Sequence, residues 1–175
     1  MRRPPVLAAL GLLASPAQPR VVSAAGDGFD LVNEAAVDAP ADRVWAMLVA
    51  PARWWDPAHS WSGDAANLSL EPRAGGCFCE RWANGSVEHM RVVYAEPGRV
   101  LRMAGALGPL QAEGVAGAMT VTLEPLGERA GAETKVTLRY AAGGQFPGGL
   151  DRVAPAVDWV SAGQLARLKA AAERR

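Results

Sequence analysis

Apolar positions along this chain recur with two different periods, and the change of period divides it into elements. Residues 29–37 have extended character, and Asp38-Ala39-Pro40 punctuates them. Val44, Trp45 and Leu48 then follow at helical spacing, and Pro40 suits a helix start, where its missing N–H costs nothing. Pro51 closes this helix and opens a short second one over 52–55, ended by Asp56-Pro57. From there the period is two: alternation marks strands over 68–73, 77–82, 87–94, 100–106, 119–123 and 135–140. Alternation of this kind belongs to half-buried antiparallel strands. Gly75-Gly76, Asn84-Gly85, Pro97-Gly98 and Gly108-Pro109 supply turn chemistry at the joints. The period then returns to that of a helix: Leu150, Val153, Val157, Val160, Leu165 and Leu168 face one way. Asp151, Arg152, Asp158, Arg167 and Lys169 are expected on the outer face. This predicts an amphipathic helix of about twenty residues, starting between Asp151 and Pro155 because Pro is tolerated only in a first turn. The expected fold class is α+β, with a curved antiparallel sheet of six to seven strands around a long C-terminal helix and two short helices after the first strand.

Residues 1–25 read differently. Arg2 and Arg3 precede an apolar run over 6–14 that is too short to span a bilayer, and Pro16 and Pro19 follow it. Ser23 and Ala25 are small residues at −3 and −1 for cleavage after Ala25, the pattern of a secretory signal peptide. The expected organisation is therefore a signal over 1–25 and one domain over 26–175, exported to the periplasm or secreted. No later segment is long and apolar enough to anchor it.

Composition narrows the partners. Eighteen basic residues balance eighteen acidic ones, so there is no electrostatic footprint for nucleic acid. Trp45, Trp54, Trp55 and Trp61 gather in one segment, and such rigid rings suit a core or a pocket wall. Nothing in the sequence sets the oligomeric state. Phosphate-loop, dinucleotide, HExxH and Ser-His-Asp signatures are absent, and no cofactor is expected.

The segment 40–55 (PADRVWAMLVAPARWW) resembles the opening helices of the SRPBCC superfamily. That superfamily holds START lipid-transfer domains, pollen-allergen-like proteins, polyketide cyclases and homologues of the activator of the heat-shock chaperone ATPase. Gly75-Gly76-Cys77-Phe78, Asn84-Gly85, Val92 and Pro97, and the ending over 157–169, are similar to the last group. The likeness covers about 29–172. It implies a helix-grip fold enclosing a small-molecule cavity, and hosts of that fold include binders, transporters and enzymes. The chaperone-activating members work beside a cytosolic chaperone, a role an exported chain would not share.

The polar candidates cluster on the hairpin 77–94. If Asn84-Gly85 is a two-residue loop, Glu80 lies opposite His89, with Phe78, Trp82 and Arg91 on the same face. If the loop is Ala83-Asn84-Gly85, the register moves by one: Cys79 faces His89, while Phe78, Glu80, Trp82, Glu88, Met90 and Val92 share the other face. The family resemblance, which pairs the sides of Phe78 and Val92, favours the second. In either register Glu80 lies between aromatic residues, where a carboxyl has its pKa raised and can act as general acid or base. The alternative is a Glu paired with a strand Arg or facing solvent. His59, in the loop bordering the cavity mouth, is a further proton-transfer candidate with Asp56 or Asp64, or else a surface residue. Trp54, Trp55, Trp61, Phe78, Glu80, Trp82, Glu88 and Met90 are the expected ligand contacts.

Cys77 and Cys79 fall on one strand face about 6.6 Å apart. They read first as two small buried residues; a disulfide needs a kinked backbone, and a metal set with His89 lacks a fourth ligand. No metal is expected. The residues 142–149 (AGGQFPGG) read as a flexible turn, or lid, before the last helix. Three functions compete: an exported binder of a hydrophobic or aromatic small molecule, a polyketide cyclase/dehydratase-like enzyme using Glu80 with His89 or His59, and a protein acting on envelope partners through its surface.

Overall fold

The computed structural model describes residues 20–127 and 133–174. The basic start and apolar run of the expected signal lie outside the described residues. Its last residues do not: Val21–Ala25 form β1, an edge strand with every side chain exposed, paired with β2 (Gly28–Val37) from Ala25 opposite Gly28. That strand carried no alternation to predict it. Immediately after it, the Gly26 carbonyl accepts from Leu150 N at 2.9 Å and the Asp27 carbonyl from Gly144 N at 3.0 Å.

After β2 come helix α1 (Ala41–Leu48) and three single turns of 3-10 helix. The sheet resumes with β3 (Leu68–Leu70), β4 (Cys77–Trp82), β5 (Gly85–Glu96), β6 (Val100–Ala104), β7 (Gly114–Leu126) and β8 (Glu133–Gln145). Helix α2 (Leu150–Glu173) ends the fold. The eight strands form one open antiparallel sheet in the order β1-β2-β8-β7-β6-β5-β4-β3. This is the expected helix-grip architecture, with one strand more than expected. Val44, Trp45, Met47 and Leu48 are the buried face of α1, as the helical spacing requires.

Strands β7 and β8 pair over thirteen residues each, from Gly114 opposite Gln145 to Leu126 opposite Glu133. They extend well beyond 119–123 and 135–140 because their shared end is built from Gly and Ala, which carry no apolar alternation. There the backbones touch: a Cβ on Gly144, whose φ is +140°, would lie 1.9 Å from the Gly114 carbonyl oxygen. The strand absorbs half of the expected lid, leaving only 146–149 as the turn.

Helix α2 has 24 residues, about 36 Å at 1.5 Å per residue. It starts at Leu150, so Pro155 sits beyond the first turn, contrary to the sequence expectation. Pro155 faces solvent, where water can serve the Asp151 carbonyl that loses its helical partner. Asp158 is a second correction. It follows Ala154 by four and precedes Leu165 by seven, on the buried stripe and not on the outer face. There Asn33 Nδ2 donates to Asp158 Oδ1 at 2.7 Å, both residues being buried. The helix is held to β2 at its other end by Lys169 Nζ, which donates to the Ala36 carbonyl at 2.7 Å.

Candidate functional site

Between the concave face of the sheet and α2 lies a cavity of about 570 Å³, inside the range of small-molecule sites. Phe78, His89, Leu101, Met103, Met119 and Leu138 line it from the sheet. Helix α2 contributes Val153, Val157, Val160, Ser161 and Gln164, and the loop after α1 contributes Trp54, Trp55, His59 and Trp61. Among the described residues that line it, the only titratable groups are His59 and His89.

The aromatic wall is continuous. Trp54 and Trp55 have ring centroids 5.4 Å apart, Trp55 and Phe78 5.3 Å, and Phe78 and His89 5.0 Å. Each Trp is anchored by its indole N–H: Trp54 donates to the Met47 carbonyl at 2.8 Å and Trp55 to the His59 carbonyl at 2.9 Å. The rings therefore enter with orientations already set.

The hairpin carrying Phe78 and His89 keeps the second expected register at its far end, where Cys77 pairs with Arg91 and Phe78 with Met90, but departs from both expectations at the turn. Gly85 pairs with Trp82, so the loop is Ala83-Asn84. Gly85 belongs there because a Cβ would meet the Trp82 ring at 2.5 Å. From the turn, Cys79 pairs with Glu88; then the register shifts by one, and Phe78 pairs with Met90. His89 is the extra residue of a β-bulge, and a bulge re-aims side chains. As a result His89 and Met90 are consecutive and both buried. Glu88, expected on the cavity side, stands on the outer face and pairs with Arg91. Trp82 lies over Gly85 at the hairpin end, and Met90 packs in the core behind the wall; neither lines the cavity.

Glu80 is fully buried and does not line the cavity either. It sits behind His89, whose Nε2 is 3.0 Å from Glu80 Oε2. The same oxygen accepts from Trp61 N at 3.0 Å, and Oε1 accepts from Ser62 N at 2.5 Å. Burial alone pushes the Glu80 carboxyl up, as expected from sequence, but the hydrogen bonds from Ser62, Trp61 and His89 outweigh it and hold it below the usual range. Burial lowers the pKa of His89 despite the opposing pull of Glu80. His89 is thus a neutral ring donating Nε2–H to a carboxylate, which leaves Nδ1 as its acceptor. His59 stands apart, its ring 6.3 Å from that of Trp159. Asp56 and Asp64 do not pair with it; their carboxylates cap short turns at Ala58 N and Ala66 N.

Ser60, Ser161 and Gln164 are polar lining residues that the sequence did not single out, and Gln164 is the one of them with an unpaired donor. Its signal was present: a Gln inside the apolar stripe, four residues after Val160 and next to Leu165. It is 3% exposed; Oε1 accepts from Asp56 N at 3.0 Å, and Nε2 has no partner among the described residues. A buried donor left unpaired costs about 1–3 kcal/mol. On the outer face, Cys77 and Cys79 form a disulfide with Cα atoms 5.4 Å apart, correcting the reading as two free buried thiols. The bulge between Phe78 and Cys79 supplies the backbone distortion this requires. Glu88, not His89, converges on these sulfurs.

A family model described as "Polyketide cyclase / dehydrase and lipid transport" matches residues 29–173. Among solved structures, an uncharacterized protein from Rhizobium leguminosarum is 22% identical with a TM-score of 0.58, covering 85% of this chain and 97% of that one. Mll3558 from Rhizobium loti is 23% identical with a TM-score of 0.57, covering 82% and 96%. CalU16 from Micromonospora echinospora is 18% identical with a TM-score of 0.55, covering 88% and 78%. No curated protein matches. At these identities the structural likeness concerns the fold.

Proposed function

The chain belongs to the polyketide cyclase / dehydrase and lipid transport family, and on that premise we propose that it is an exported protein holding a hydrophobic or aromatic small molecule in the cavity under α2. The observation that carries this reading is the cavity itself: about 570 Å³, walled by Trp54, Trp55 and Phe78, with no Asp, Glu, Lys or Arg among the described residues that line it. Such a space excludes charge and selects apolar surface. Export is supported by the basic start, the short apolar run and the small residues Ser23 and Ala25. Within the family, the residues over 75–78 and 157–169 support a kinship with the homologues of the chaperone ATPase activator, whose cytosolic role an exported chain would not share. Native mass spectrometry of the protein purified from its own cell envelope tests both parts. The expected spectrum shows a chain beginning at Gly26 with a bound apolar molecule; an intact leader overturns export, and a ligand-free protein that takes up no apolar probe overturns binding.

One observation favours a second reading, a cyclase- or dehydratase-like enzyme. His89 lines the cavity, is backed by the Glu80 carboxylate at 3.0 Å and is held neutral, as a general base must be. In this reading His89 takes the proton through Nδ1, and Glu80 orients the ring and stabilises the imidazolium. His59, without an acidic partner, has no such support. Loss of turnover of a cavity-bound poly-β-ketone in His89→Gln, with binding retained, is the result that would establish it.

A further inference from the structure

Four cavity side chains that can donate a hydrogen bond already spend it on a carbonyl. Trp54 and Trp55 donate to Met47 and His59, Ser60 Oγ to Pro57 at 2.9 Å, and Ser161 Oγ to Val157 at 2.8 Å. Gln164 does not. Its amide cannot be turned round, because the Asp56 N–H needs Oε1 as acceptor and would otherwise face a second donor. Nε2 is therefore fixed as a buried donor with no partner in a residue that lines the cavity. The lining also holds no Lys or Arg among the described residues, and the nearest formal charge behind His89 is the Glu80 carboxylate. A carboxylate entering this space would lose its water and find no cation.

We infer that the ligand is a neutral, largely apolar molecule carrying a carbonyl oxygen, as in a ketone, aldehyde or ester, which accepts the hydrogen bond of Gln164 Nε2. Free carboxylic acids are rejected by the same geometry. This rests on the binding reading above and narrows it to a substrate class.

Three probes of nearly equal shape separate the possibilities: 2-acetylnaphthalene, 2-isopropylnaphthalene and 2-naphthoate, each titrated calorimetrically at pH 7 into wild type, Gln164→Leu and Gln164→Met. In wild type the ketone should bind about fivefold more tightly than its isopropyl analogue, the worth of one hydrogen bond. The naphthoate should bind at least about tenfold more weakly than the ketone. In either variant the ketone should lose its advantage while the isopropyl compound keeps its wild-type affinity, which shows the pocket to be intact. A ketone preference that survives both substitutions, or a naphthoate that binds best, overturns the inference and leaves the binding reading standing. Should the isopropyl compound and both relatives fail to bind wild type, the binding reading falls and the inference with it.

Discussion

Replacing Glu80 by Gln changes one atom and tests how the cavity mouth is held. The carboxylate accepts three hydrogen bonds: Ser62 N on Oε1, and Trp61 N with His89 Nε2 on Oε2. An amide keeps one acceptor oxygen. Placed toward Ser62, it sets the new NH₂ against the Trp61 N–H; placed toward Trp61, it sets the NH₂ against Ser62. Either way a part-buried backbone donor loses its acceptor, which costs about 1–3 kcal/mol, and the bonds that remain lose their charge assistance. A loss of about 3 kcal/mol follows, or a fall in melting temperature of roughly 6–12 °C for a domain of this size. Calorimetry at pH 7 measures the total, and hydrogen exchange at the Trp61 and Ser62 amides locates it. Those two amides should exchange about a hundredfold faster in E80Q. A stability change below about 1 kcal/mol, or unaltered exchange at both amides, would show that the carboxylate does not hold this loop.

Acid should destabilise the protein in two steps. His89 and Glu80 both have folded pKa values below their ordinary 6.5 and 4.5, so the unfolded chain binds more protons and stability falls as pH drops below each in turn; melting curves between pH 8 and pH 2 check this, and E80Q should flatten the lower step. Val160→Phe, which pushes a ring from α2 into the cavity, should abolish uptake of apolar probes while leaving the melting temperature equal or higher, as read by paired binding and thermal scans. Thiol titration of the unfolded protein should find no reactive Cys without reductant and two with it. Reduction should lower stability by about 1–2 kcal/mol in urea titrations, because the closed loop is so short.

The architecture was legible because its determinants are local. Val44, Trp45 and Leu48 carried the helical period of α1, and the long stripe from Leu150 to Leu168 carried that of α2. Gathering Trp54, Trp55 and Trp61 in one loop pointed correctly to a segment that borders the cavity. The hairpin was not legible, for a physical reason. Any register drawn from one turn assumes uniform pairing, whereas the bulge at His89 gives the two ends of the hairpin different offsets. Phe78 therefore keeps the expected inward side, Glu88 is turned out, and His89 comes in. Glu80 is buried between apolar neighbours as expected, but it stands behind His89 and not in the cavity wall, and the sign of its pKa shift depends on N–H groups of Trp61 and Ser62, eighteen or more residues away in sequence. Asp158 is not legible locally: a charge on an amphipathic helix reads as solvent-facing, and its buried partner Asn33 lies on another element.

The cavity beneath α2 ties any occupancy to folding. Side chains that line it forgo the contacts a close-packed interior would give them, so the folded state is less stable than its core composition would allow. A molecule that enters binds only the folded chain and adds RT ln(1 + [L]/Kd), about 2.7 kcal/mol at a hundredfold excess over Kd. Under the binding reading, the melting temperature gauges occupancy, and the unliganded form is the one more exposed to proteases.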